Sequence, residues 1–64
     1  MTVNGHRYQH RAGLTLHRLL AELKVDQRLV VVMHGDEIYR AGKIPDATLA
    51  EKDVVEIVTM AQGG

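Results

Sequence analysis

Sixty-four residues make one domain and leave little room for an interior active site, since a chain this short buries only about 60% of the surface it exposes when unfolded. Eight Lys and Arg balance eight Asp and Glu in an interspersed pattern, which excludes the basic face expected of a small nucleic-acid binder. The absence of cysteine excludes disulfides, thiolate metal ligands and any thiol nucleophile.

The chain opens on Met1-Thr2-Val3-Asn4, an apolar–polar alternation, and Asn4-Gly5 is a strong two-residue hairpin signal. The return run His6 to Arg11 is mostly polar and predicts a strand near a sheet edge, closed by Ala12-Gly13. A helix follows. Thr15 fits an N-cap, with Leu14 and Leu19 at the spacing of a hydrophobic staple. Leu16, Leu19, Leu20 and Leu23 form one apolar stripe, and His17, Arg18, Glu22 and Lys24 occupy the other side. A helix with one apolar face calls for a sheet to cover it.

Residues 25–28 connect to the β-branched run Leu29 to Met33, which predicts an interior strand. Alternate residues of that run face opposite sides of the sheet. Its second side is covered either by a docking partner or by the loop from Gly42 to Leu49. His34-Gly35-Asp36-Glu37 predicts a turn, Ile38-Tyr39-Arg40 a short strand, and Ala47 to Glu51 a short helical turn after the loop holding Pro45. Val54 to Val58 is the last strand, expected beside the first at the sheet centre. Strand, strand, helix, strand, short strand, strand is an α+β order: a mixed four- to five-stranded sheet packed on one helix. The domain is expected to span residues 1–59, with 60–64 expected as a flexible tail ending in Gly-Gly.

No catalytic or metal-binding set emerges. His6 and His10, four apart in an extended run, stand about 13 Å apart, too far to share a metal ion, and His17 and His34 lie elsewhere. Asp36-Glu37 reads as turn chemistry. No glycine-rich loop joins a strand to a helix for phosphate, and Tyr8 and Tyr39 are too few for a base-stacking platform. No long apolar run spans a membrane, no signal pattern opens the chain, and the cytoplasm is the expected compartment. What stands out is Met60-Ala61-Gln62-Gly63-Gly64. Two glycines without Cβ can pass a narrow channel and present the terminal carboxylate to another protein's active site. A carboxylate becomes electrophilic once adenylated. In a chain without cysteine, covalently carried sulfur would sit on that acyl group as a thiocarboxylate.

The chain resembles the ubiquitin-like sulfur carriers of the β-grasp fold, most closely those of thiamine biosynthesis. The resemblance runs over Val3-Asn4-Gly5, Leu14-Thr15-Leu16, Leu19-Leu20, Val30-Val31-Val32, Ile38-Tyr39-Arg40, Ile44-Pro45, Leu49, Asp53-Val54-Val55 and Gly63-Gly64. Lys52-Asp53 stands where these carriers commonly have Gly-Asp, and His34 where relatives often have Asn. The resemblance implies a protein co-substrate rather than an enzyme, monomeric when free, with no cofactor of its own. A ubiquitin-activating-like adenylyltransferase, using its own ATP and magnesium, would adenylate Gly64. A cysteine desulfurase or rhodanese-type donor would supply sulfur, and the thiocarboxylate would pass it to thiazole synthase. Ala61, Gln62 and Gly63 would present the tail, and Val30, Val32 and Ile38 are the candidate docking contacts. The same tail would serve a carrier for molybdopterin or tRNA thiolation, or a modifier conjugated through Gly64.

Overall fold

The computed structural model describes residues 1–59. The element order is β1 (Thr2–Val3), β2 (His6–Arg7), α1 (Leu16–Glu22), β3 (Val30–His34), β4 (Glu37–Tyr39) and β5 (Val54–Thr59). The strands form one mixed sheet in the order β2-β1-β5-β3-β4. β5 lies at the centre, parallel to β1 and antiparallel to β3, as the side-by-side placement of the first and last strands required. With the helix across one face, this is the α+β β-grasp arrangement.

Two tight hairpins set the registers. Asn4 and Gly5 both take left-handed φ, 52° and 80°, so Val3 faces His6 across a two-residue loop with the twist of a type I′ turn. Gly35, at φ 62°, opens the second, and its two-residue loop makes His34 and Glu37 a cross-strand pair. The expected four-residue turn His34 to Glu37 is therefore shorter, and its outer residues belong to strands. The strands shift with it: β3 runs from Val30 rather than Leu29, and Arg40 falls outside β4. β2 is shorter than the expected run to Arg11, keeping one further bond from Tyr8 N–H to the Met1 carbonyl at 2.9 Å.

The helix starts as its sequence dictates. Thr15 Oγ1 accepts from Arg18 N–H at 3.3 Å, the N-cap bond. It ends one residue before Leu23, at a reciprocal C-terminal motif. Lys24 N–H donates to the Ala21 carbonyl and Val25 N–H to the Leu20 carbonyl, with Lys24 at φ 59°. That early stop takes Leu23 off the buried stripe and leaves it 36% exposed, while Leu16, Leu19 and Leu20 are fully buried.

Those three leucines pack with Leu14 on Val3, Val30, Val32 and Val55, the inward residues of the sheet. Ile44 and Leu49 complete the same cluster. The loop after β4 therefore closes the helix side of the sheet and does not cover the other. Ala47 to Glu51 forms no helical turn. Thr48 instead bridges Thr15, Leu16 N–H donates to the Ala47 carbonyl at 2.9 Å, and Leu49 N–H to the Leu14 carbonyl at 2.8 Å. Backbone donors at the helix start are scarce partners, and an extended strap that satisfies them wins over a local turn.

Side chains fasten this strap. The Asp46 carboxylate accepts from His17 N–H at 3.1 Å, and a hydrogen bond from Thr15 is the main cause holding its pKa below the ordinary value. His17 Nε2 donates to the Ile44 carbonyl at 2.6 Å, and His10 Nε2 to that of Leu49 at 2.8 Å. Asp53 fixes the approach to β5: its carboxylate accepts from Ala50 N–H at 2.7 Å and contacts His34 Nε2 at 2.8 Å. Three of the four histidines thus have structural partners, and among the described residues no group of acidic or imidazole side chains could hold a metal.

Two outcomes follow from these local arrangements. Lys24 holds a conformation that costs an L-residue with a Cβ about 1–2 kcal/mol, so Lys24→Gly should raise unfolding free energy by up to ~1 kcal/mol in urea titration. The Asp53 pKa lies below its ordinary value of 3.8, chiefly because of the bond from Ala50 N–H. A depressed carboxylate stabilises the fold above its unfolded value and loses that contribution as pH falls through the folded one. Denaturation scanned from pH 6 downward to roughly pH 2 should show a steeper loss for the wild type than for Asp53→Asn.

Candidate functional site

Cross-strand partners share a face, so the registers decide what each side of the sheet presents. Val30 and Val32 alternate with Val31 and Met33 along β3, and only the first pair points at the helix. On the open side three rungs run across the strands: Ile38, Met33 and Glu56; Val31 and Val58; Arg7, Thr2 and Val54. Ile38, Val54 and Val58 are 68%, 51% and 47% exposed. Such large aliphatic side chains gathered on one side mark a contact surface more than scattered exposure does.

The expected docking contacts are corrected by this register. Val30 and Val32 are 2% and 0% exposed and belong to the core, so neither can meet a partner. Ile38 does lie on the open side, but its cross-strand neighbour is Met33. With a two-residue loop between His34 and Glu37, Ile38 faces Met33 and shares its side with Val31. Placing Ile38 with Val30 and Val32 requires a one-residue slip, which would reverse every side chain of β3. The residues that sequence reasoning passed over are Val31, Met33, Val54, Glu56 and Val58. Gly35-Asp36 was the available signal, being a two-residue hairpin loop in its own right.

Polarity on the open side is asymmetric. Glu56 stands within the apolar rungs beside Met33 and Arg7 marks the β2 edge, whereas Glu37 at the β4 edge pairs with His34 and falls on the helix side. On the helix side a separate polar knot joins the elements. The Glu22 carboxylate is held by Tyr8 Oη at 2.7 Å, by Arg18 Nε at 3.4 Å and by Arg11. A groove of about 750 Å³ beside β2, lined by Met1, Arg7, Tyr8, Gln9, His10 and Glu51, brings together no nucleophile with a base. Ala61, Gln62, Gly63 and Gly64, the expected presenting and modified residues, lie outside the described residues. Thr59, the last described, closes a central strand whose Val58 is part of the open-side surface.

Two comparisons bear on the chain as a whole. The profile of the ThiS family matches residues 1–64. The chain is also 38% identical over 52 residues to the sulfur carrier protein ThiS of Thermus thermophilus, an alignment covering 81% of each protein.

The face assignment has a direct check. Val32→Ser leaves a cavity and a buried hydroxyl, and should cost about 2–4 kcal/mol in chemical denaturation. Ile38→Ser, on the exposed side, should cost less than about 1 kcal/mol. Equal losses would mean that β3 is in the other register.

Proposed function

The chain belongs to the ThiS family, and from that membership we propose that it carries sulfur as a thiocarboxylate on Gly64 and delivers it to thiazole synthase in thiamine formation. Members of the family are small carrier proteins rather than enzymes, and the fold agrees with that role. His10, His17, Asp46 and Asp53 hold loops, and the conspicuous surface is apolar.

The loading chemistry starts at the Gly64 carboxylate, in the reading proposed here. A carboxylate oxygen attacks the α-phosphorus of ATP held by a ubiquitin-activating-like adenylyltransferase, and pyrophosphate leaves. The persulfide of a cysteine desulfurase or rhodanese-type donor then attacks the acyl carbon and AMP leaves. A partner thiol cleaves the resulting acyl disulfide, releasing the thiocarboxylate and leaving a disulfide on the partner side. ATP and magnesium are the partner's. The carrier contributes a carboxylate that can reach the reaction, and glycine at positions 63 and 64 supplies the narrow profile. Gly64 is the fifth residue after Thr59, a reach of at most roughly 17 Å when extended. A partner gripping the open side near Val58 therefore has its adenylation site within range of the tail.

The observation that carries this reading is the pairing of an exposed apolar sheet side, to which the central strand contributes Val54 and Val58, with a sequence that reaches Gly63-Gly64 shortly after that strand. Among the described residues no helix is long and apolar enough to cross a membrane, and the cytoplasm is where we place the reaction.

Incubating the chain with an activating enzyme of this family, ATP and a sulfide source should replace one terminal oxygen by sulfur, read by intact mass. Gly64→Ala should slow the loading roughly 10- to 100-fold, because a methyl group displaces the reacting carbon, with an unchanged melting transition. A wild-type chain that forms neither adenylate nor thiocarboxylate under these conditions would overturn the reading.

A further inference from the structure

β1 covers β5 only at Val54 and Val55, whereas β5 runs on to Thr59. β3 pairs with β5 throughout, from Val55 to Thr59. Beyond Val55 the central strand is thus held by backbone from one side. On the other side the chain has turned away, because Asn4 and Gly5 take left-handed φ and lead back into β2. A backbone in that conformation cannot extend a ladder, so the next β5 donor facing β1, the Ile57 N–H, would have no strand partner.

Asn4 supplies one. Its own N–H donates to the Val55 carbonyl at 2.9 Å, as a ladder residue does. Its side-chain Oδ1 then accepts from Ile57 N–H at 2.6 Å, across 53 residues of sequence. A single residue both makes the hairpin turn and adds one rung to β5 past the end of β1. Asn, Asp and Gly all suit the first position of such a turn. Only Asn and Asp also bring an acceptor.

We propose that Asn4 is a positioning residue for tail loading: by bonding Ile57 through its side chain, it fixes the course of β5 where the strand leads toward the tail. The proposal rests on the sulfur-carrier reading and goes beyond it by assigning a role to a residue distant in sequence from the reacting carbon. Ile57 is partly buried against the core, and its neighbours Glu56 and Val58 face the open side. Holding Ile57 therefore sets the alternation of the residues that a gripping partner meets. It also steadies Val58 and Thr59, the strand end after which the tail sequence begins. Without the acceptor, the Ile57 rung opens roughly 10-fold more often, and a partner must capture the correct course from a broader set.

The test compares Asn4→Gly, which keeps the left-handed turn and removes the acceptor, with Asn4→Asp, which retains both. Amide exchange at Ile57 should quicken about 10-fold in Asn4→Gly and return toward wild type in Asn4→Asp. In ATP–pyrophosphate exchange with the activating enzyme, the KM for the Asn4→Gly carrier should rise roughly 3- to 10-fold. Its kcat should stay within about two-fold, since the reacting group is intact once bound. Thr15→Ala, which weakens the helix start instead, should leave KM unchanged and so separates positioning from loss of stability. A normal KM for Asn4→Gly, or an elevated KM shared by Thr15→Ala, overturns the proposal while the sulfur-carrier reading stands. A wild-type carrier that is never adenylated removes both.

Discussion

Everything in this fold depends on one burial event: the leucines of a two-turn helix cover the inward valines of a sheet whose strands are two to six residues long. Neither partner is stable alone. A helix this short is marginal in water, and a strand pair of two residues has little of its own to hold it. The core is wholly aliphatic, with no buried polar side chain among the described residues. It consequently has no directional contact with which to set register. That task falls to the two-residue hairpin loops at Asn4-Gly5 and Gly35-Asp36, and a slip at either would expose the apolar set.

The helix and the strap from Ile44 to Leu49 both use the same side of the sheet, so among the described residues no element covers the other. A domain of this length cannot build a third layer. It leaves Ile38, Val54 and Val58 in water, a cost it tolerates because the core side is closed. The same economy appears in the loops. His10, His17 and Asp53 each bond a backbone group of a segment that has no strand or helix of its own, and Asp46, within such a segment, accepts from the His17 N–H at the start of α1. These side chains, which composition alone offers as catalytic or metal-binding candidates, are consumed by structure.

Element types and their order were legible because each carries a local cause: the Thr15 cap, the Leu16, Leu19 and Leu20 stripe, the β-branched run at Val30 to Val32, and the Asn4-Gly5 turn. The side on which Val30 and Val32 lie was misjudged because it depends on parity, which periodicity in a single strand cannot supply. Val30 to Val32 is apolar without a break, so its own sequence is silent about which residues turn inward. Pairing with Ile38 through the hairpin decides it. The helical turn expected at Ala47 to Glu51 failed for a different reason. Its donors and acceptors were claimed by the start of α1, a long-range contact outside any local window. Leu23 likewise fits the stripe by spacing, but the left-handed Lys24 ends the helix before that position can turn inward.

Asn4 shows how a residue can be read correctly and still incompletely. Its turn-forming tendency is local and visible in the dipeptide with Gly5. Its bond to Ile57 exists only because β5 outruns β1, a fact about strand lengths that belongs to the folded sheet. A longer β1 would satisfy Ile57 with backbone and make the side chain redundant; a shorter β5 would leave it nothing to hold. The amide oxygen matters at this position because the central strand must continue beyond the neighbour that started beside it. At Ile57 the β1-side rung of that strand is accordingly a side chain.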